Sequence, residues 1–199
     1  MKLVEADERS KILQGLTPSQ KGAAAEAAIA AAVVELGLTV LRPLCEGRRY
    51  DLVIDLEPEL LRVQCKLAQH LGAVLSVRVS TSRYTPQGYL TTSYTADEID
   101  AIGVYSPELR RCFLIPIEHV SGRRVTHLRL DPSRNNQAER VKWARDYELA
   151  AMIGGLRQRQ VEATATIPQT RLGAIAQLGE RVAGSDEVVG SSPTSSIAM

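Results

Sequence analysis

The stretch Arg49-Tyr50-Asp51-Leu52-Val53-Ile54-Asp55-Leu56-Glu57-Pro58-Glu59-Leu60-Leu61-Arg62-Val63-Gln64-Cys65-Lys66-Leu67 decides how the chain is read. Two runs rich in aliphatic and β-branched residues, Tyr50–Leu56 and Leu60–Leu67, flank Glu57-Pro58-Glu59. A proline between such runs predicts a tight turn, and the pair an antiparallel hairpin. Side chains alternate across a strand. Asp51, Val53 and Asp55 therefore share one face and Leu52, Ile54 and Leu56 the other. In the partner, Arg62, Gln64 and Lys66 lie opposite to Leu61, Val63 and Cys65. With the turn centred on Pro58, Asp51 falls opposite Cys65, with Gln64 and Lys66 on the diagonals; a slip of one residue improves the match. A carboxylate, an amide and an ammonium thus converge at the open end of the hairpin. Asp55, about 13 Å along the strand, lies outside that group.

Upstream, Thr17-Pro18-Ser19-Gln20 carries an N-cap, a proline suited to the first helical position and the glutamine of a capping box. A helix is expected through the alanine-rich segment, ending near Gly37. Ile29, Ala30 and Val33 follow Glu26 by three, four and seven residues, so Glu26 shares their apolar face. A carboxylate there must meet a cation or a metal, or reach solvent at the rim of the stripe. Leu52, Ile54, Val63 and Cys65 need an apolar cover. This helix supplies one, and so brings Glu26 towards the hairpin.

Further strands are expected at Thr39–Leu44, Ala73–Ser80, Ala101–Tyr105, Cys112–Ile115 and Val125–Leu130, with a short helix or turn at Thr95-Ala96-Asp97-Glu98 and a helix over Val141–Arg159. The segment Ser80 to Tyr94, with Arg83, Tyr84 and Tyr89, reads as a surface connection or a DNA-contacting loop. Trp143 and Tyr147, at helical spacing, read as core packing. A helix, an antiparallel meander and then mixed elements make an α/β chain of the α+β kind. Residues 1–16 read as an N-terminal arm, 17–150 as the domain and 151–172 as a linker or helical extension. Residues 173–199, rich in Gly, Ser and Ala, read as a disordered tail. In that tail Gly173 to Arg181, followed by Gly190-Ser191-Ser192-Pro193, resembles a reading frame running through a transfer RNA gene.

Composition removes several classes of protein. At 199 residues and 44% hydrophobic, the chain suits one domain with a real core rather than a disordered tail or a coiled coil. No apolar run is long enough for a membrane span. Cys45, Cys65 and Cys112 show no C-x-x-C spacing, against a zinc knuckle or disulfide scaffold. His70, His119 and His127 lack the spacing of a His-based nuclease or zinc hydrolase. Without an apolar leader, the chain is expected in the cytoplasm. Lys+Arg number 24 against 23 Asp+Glu, yet from Glu108 to Arg145 nine basic residues face four acidic ones. That excess of five can offer a phosphate-binding face. Arg134 and Lys142 in this segment, Arg83 in the polar connection and Arg48 and Arg49 before Asp51 are candidate DNA contacts.

Two carboxylates and an amide oxygen are hard donors that suit Mg²⁺. A lysine beside them can stabilise charge on a phosphate. Metal-assisted phosphodiester hydrolysis uses this set of parts.

The order Lys21-Gly22-x-x-x-Glu26, then Arg49 to Asp55, then Leu61-Arg62-Val63-Gln64-Cys65-Lys66 resembles the PD-(D/E)XK nuclease superfamily. It is more closely similar to the group I intron-associated PD-(D/E)XK endonucleases. Glu98 to Tyr105, and Leu128 through Asn135-Asn136-Gln137 to Tyr147, are similar too, so the resemblance covers Thr17 to Glu148. It implies a restriction-endonuclease-like core in αβββαβ order, a central mixed sheet flanked by helices. It further implies Mg²⁺-dependent cleavage of double-stranded DNA, with Mn²⁺ as a substitute, by a homo-oligomer, dimer or tetramer. Asp51 would be the central metal ligand, Glu26 its helix-borne partner and Lys66 the motif lysine. Gln64 stands where many relatives carry Asp or Glu, a variant found in homing-type members of mobile elements. Tyr50 replaces the proline before Asp51. The alternatives on the same fold are a DNA-binding module without catalysis and a DNA-repair or junction nuclease.

Overall fold

A capping box opens the first helix, α1 (Pro18–Glu35), in the computed structural model of the chain, which describes residues 15–45, 47–132 and 141–165. The Thr17 hydroxyl accepts the Gln20 N–H at 3.3 Å, and Gln20 Oε1 accepts the Thr17 N–H at 2.9 Å. Gly37, at φ +76°, follows the helix end in the left-handed geometry that glycine adopts without a Cβ clash. Ala25, Ile29 and Val33, four residues apart, are fully buried and form the contact stripe. Glu26 flanks that stripe and is partly buried.

Ten strands lie among the described residues: β1 (Thr39–Leu41), β2 (Leu52–Asp55), β3 (Leu60–Leu67), β4 (Gln69–Leu71), β5 (Val74–Arg78), β6 (Ser80–Thr85), β7 (Gly88–Ser93), β8 (Ala101–Ser106), β9 (Arg111–Pro116) and β10 (Val125–Arg129). The main sheet runs β1-β2-β3-β8-β9 and is antiparallel except where β3 lies parallel to β8. A parallel pair needs a crossover. Here β4 to β7 and a turn at residues 96–98 make it. A second sheet runs β10-β5-β4, and β6 pairs with β7 alone.

The hairpin turn is one residue tighter than the sequence suggested. The Leu56 N–H reaches the Glu59 carbonyl at 2.9 Å, which leaves Glu57-Pro58 as the loop and sets Leu52 opposite Val63. Asp51 therefore falls level with Gln64, not Cys65. Asp55 Oδ1 accepts the Glu57 N–H at 3.0 Å and serves this turn.

One face of the main sheet, with Leu52, Ile54, Val63, Cys65, Ala101 and Leu114, clusters with Ile29 and Val33 of α1. The other, with Ile102, Val104, Phe113 and Ile115, clusters with Leu75, Val77 and Leu128 of the second sheet. Each fully buried aliphatic side chain contributes about 1.5–3 kcal/mol. Gly103 of β8 lets α1 lie close, since a Cβ there would sit 2.9 Å from Val63 Cγ1 and 3.2 Å from Ile29 Cδ1.

Three sequence expectations change. The helix expected from Val141 starts only at Leu149, as α2 (Leu149–Ala165). Trp143 instead bridges to Arg129, residues 144–147 form a 3₁₀ turn, and Glu148 bridges to Phe113, so strand pairing overrides the helical spacing. Tyr147 is buried as expected, and Leu149 and Ile153 join the α1 cluster. The segment Ser80–Tyr94 is no open connection: it is the β6–β7 ribbon. The chain divides into two units, residues 1–157 and 158–199, and the sheets belong to the first. Cys45, Cys65 and Cys112 are free thiols. No helix among the described residues is long and apolar enough to cross a membrane. Residues 1–14, Arg134 and the 173–199 segment lie outside the described residues.

Candidate active site

Asp51 stands just before β2, at the open end of the hairpin. Its Oδ2 accepts the Cys65 N–H at 2.8 Å and also the side-chain amide of Gln64. Gln64 is 9% exposed and belongs to the central strand, so its carboxamide is held in the interior. Burial pushes the Asp51 carboxyl above its ordinary 3.8, while the Cys65 N–H and the charges of Lys66 and Arg42 pull it back.

Glu26, on α1, lies within charge range of Asp51. Burial and repulsion from Asp51 raise its carboxyl above the ordinary 4.5, and Arg42 opposes them. Arg42, one residue past β1, meets Glu26 through Nη2–Oε2 at 2.5 Å, and its own side chain is 66% exposed. The Cys65 thiol lies within range of the same charges. Burial and then the Asp51 and Glu26 carboxylates push it far above the thiol range, and Lys66 pulls it down.

Lys66 follows Gln64 by two residues on β3 and shares its face. Its Nζ lies 5.3 Å from the centroid of Tyr94, a buried ring that also takes the Arg49 guanidinium at 4.4 Å. Arg49 is itself forked onto Glu98 at 2.9 and 3.2 Å and donates to the Ser93 carbonyl at 3.3 Å. Glu98 Oε2 accepts the Thr95 N–H at 3.2 Å, which makes Thr95–Glu98 a capped turn.

Asp100 stands apart from this group. It accepts the Arg62 N–H at 2.7 Å and the Arg62 guanidinium at 2.7 and 3.0 Å. Burial would raise its carboxyl, but the bonds from Arg62 hold it below 3.8. The pair clamps β3 to the start of β8 and is structural.

Of the expected set, Gln64 bonds directly to Asp51, while Glu26 and Lys66 lie within charge range of it. Arg49 is near but already engaged. Arg48 is exposed in the loop leading to Asp51, and Arg83 lies on β6. Lys142 lines a basic cleft described below. Sequence reasoning missed two participants. Arg42 pairs with a residue 16 positions away, and no local pattern joins them. Tyr94 was read only as part of a polar segment.

Among the described residues no three His, Cys, Asp or Glu side chains gather at ligand spacing. A third oxygen donor would come from the Gln64 carboxamide, where a half-turn exchanges its NH₂ for its oxygen. The donor set of two carboxylates and one amide oxygen suits Mg²⁺ or Mn²⁺. Two half-buried carboxylates with raised proton affinity leave negative charge that a divalent cation would relieve. The residues present fit such an ion.

A sequence profile of the family described as PD-(D/E)XK endonuclease matches residues 16–150. No curated protein sequence matches the chain. Among solved structures, the bacterial homing endonuclease I-Ssp6803I superposes with a TM-score of 0.59 at 23% identity, over 74% of this chain and 97% of that one. At that identity the likeness concerns the fold, an α+β restriction-endonuclease-like core.

Proposed function

The chain belongs to the PD-(D/E)XK endonuclease family and is a DNA endonuclease, and from that premise we propose that it hydrolyses phosphodiester bonds of double-stranded DNA with Mg²⁺, Mn²⁺ serving in its place. Glu26, Asp51 and the Gln64 carboxamide would hold the ion. When bound, it supplies polarisation of the phosphodiester and a lowered pKa for water. Lys66 sets its ammonium beside the acidic group, where it would stabilise charge building on the phosphate oxygens. Tyr94 gives that ammonium an aromatic face and shares it with Arg49. Arg42 offsets one carboxylate while the ion is away.

The observation that carries this reading is the Asp51 carboxylate, tied to Gln64 and Cys65 of the motif strand while Lys66 acts on it, and it acts on Glu26, through charge. A homing-type role in a mobile element is favoured by the glutamine in the motif and by the likeness in fold to a bacterial homing endonuclease. A single small site acts on one strand at a time, so a dimer or tetramer is proposed for double-strand cleavage. The enzyme would act with its DNA in the cytoplasm.

Plasmid cleavage in Mg²⁺ by the wild type, Asp51→Ala and Lys66→Ala tests the proposal. Cutting by the wild type alone supports it. Equal cutting by all three refutes it, and so does DNA binding by the wild type with no cutting in either metal, which would favour a binding module.

A further inference from the structure

Outside the acidic site, a cleft of about 250 Å³ on the β10–β5 sheet is lined by Val74, Arg123, Thr126, His127, Arg129 and Lys142, with Val125 and Val141 completing it and no carboxylate among them. Arg129 Nε donates to the Asp131 carbonyl at 3.0 Å, a neutral acceptor. No ion pair engages Arg123, Arg129 or Lys142 among the described residues. Three cations therefore share one concavity with no acidic side chain in its lining among the described residues. The strain shows at Lys142, whose ammonium is held below its ordinary 10.5 by burial and then by the charge of Arg123. An anion seated between them would relieve both effects. Guanidinium forks and an ammonium suit the oxygens of a phosphate.

The cleft is also tied to the acidic site. The Arg123 carbonyl accepts the Ser93 hydroxyl at 3.1 Å, and the Ser93 carbonyl accepts Arg49 Nη2 at 3.3 Å. Next along the chain, Tyr94 carries Arg49 and Lys66 on its ring. The neighbouring Arg124 carbonyl takes the Val79 N–H at 2.9 Å and the Ser80 hydroxyl at 3.2 Å, which fixes the turn against the root of the β6–β7 ribbon. Arg123, at one edge of the cleft, is therefore bonded to the Ser93–Tyr94 segment whose ring meets the motif lysine.

We propose that the Arg123–Arg129–Lys142 cleft is a phosphate-binding subsite that grips the backbone of the DNA substrate away from the scissile bond. It rests on the endonuclease reading above and deepens it. The ligand is a phosphodiester oxygen pair, and the cleft reads charge and shape rather than base sequence.

Binding of the full-length chain to a duplex of mixed sequence, followed by fluorescence anisotropy without divalent metal between about 50 and 200 mM salt, tests this. Lys142→Gln and Arg123→Gln should each weaken binding about three- to tenfold and lower the slope of log K against log salt by about 1. Arg110→Gln, the same charge change on the turn between β8 and β9, should leave the slope alone. Unchanged slopes in both cleft variants overturn the proposal, and so does an equal fall in Arg110→Gln. Calorimetry with inorganic phosphate separates the two sources of the anion. Tight phosphate binding that Lys142→Gln abolishes, with the DNA slope unchanged, would make the cleft a site for free phosphate and overturn it. Arg123 is exposed, so its variant keeps the test alive if Lys142→Gln does not fold. Because no cutting is needed, the two readings fail separately. Binding without cleavage refutes the enzyme, whereas cleavage with unchanged slopes refutes only the cleft.

Discussion

Arg42 holds Glu26 across a 2.5 Å Nη2–Oε2 contact, so the helix-borne carboxylate already carries a cation before any metal arrives. A metal bound as proposed would have to share or displace it. Exposed pairs of this kind are worth about 0.2–1 kcal/mol. Arg42→Gln should therefore tighten Mg²⁺ binding about two- to fivefold above neutral pH. The same change removes the pull that lowers the Glu26 carboxyl, so the acid limb of cleavage should move to higher pH. Cleavage rate against Mg²⁺ concentration at several pH values reads both effects.

Asp51 and Glu26 both hold protons more tightly in the fold than free carboxyls do, first because of burial. A raised carboxyl pKa favours the folded state at low pH. That advantage is lost as pH rises from the ordinary values of 3.8 and 4.5 through the raised ones. The metal-free protein should lose stability over that window, and Asp51→Asn should recover part of it at neutral pH. A gain of about 1 kcal/mol corresponds to roughly 2–4 °C in Tm. Melting curves at pH 4 and pH 8 decide the matter, and an Asp51→Asn protein less stable than wild type at pH 8 would contradict it.

Lys66→Ala should slow cleavage by about 10²–10³, the usual cost of one charge-stabilising group. Mg²⁺ should still raise Tm in this variant, because the oxygen donors remain. Loss of the Mg²⁺-dependent Tm shift would mean that Lys66 shapes the metal site and does not act on phosphate.

How far the sequence could be read depended on where apolar patterning carried information. The hairpin was legible because Leu52, Ile54, Val63 and Cys65 fall at every second position of two β-rich runs and all four are buried. The start of α1 was legible because Thr17 and Gln20 satisfy its free N–H groups locally. Its partnership with the sheet followed from the Ile29 and Val33 stripe. The one-residue error in register came from counting Glu59 into the turn, when it pairs with Leu56. The β6–β7 ribbon was hidden because Ser, Thr and Tyr dominate its strands and no apolar face marks the period. Tyr84 and Tyr89 are 74% and 80% exposed. At Trp143 and Tyr147 the helical spacing was real but the backbone is a bridge and a 3₁₀ turn, since contacts with Arg129 and Phe113 outweigh local propensity. Of the acidic site, each motif residue was nameable, whereas Arg42 and Tyr94 arrive from segments with no pattern of their own.

Gln64→Glu offers a direct probe of the amide. A third carboxylate beside Asp51 and Glu26 should tighten Mg²⁺ about tenfold or more, through its added charge. It should also lower the Tm of the metal-free protein at neutral pH, because like charges then crowd a buried site. Thermal melts with and without Mg²⁺ should spread further apart than in the wild type.

Gly103→Ala tests the seating of α1. The added methyl would lie 2.9 Å from Val63 Cγ1, and overpacking of this kind costs about 1–3 kcal/mol. Tm should fall, and cleavage measured well below that Tm should fall too, as the helix and its Glu26 move outward. Unchanged activity in a destabilised protein would show that the helix position is not critical.

Asp51 and Lys66 are partly exposed at the mouth of the hairpin, while Val63 and Cys65, their neighbours on the motif strand, are interior. Mutational decay of this chain therefore has two separate outcomes. Errors at interior positions remove the protein altogether. Errors at the mouth leave an intact, silent copy, which in a population of such genes would persist after its chemistry had gone.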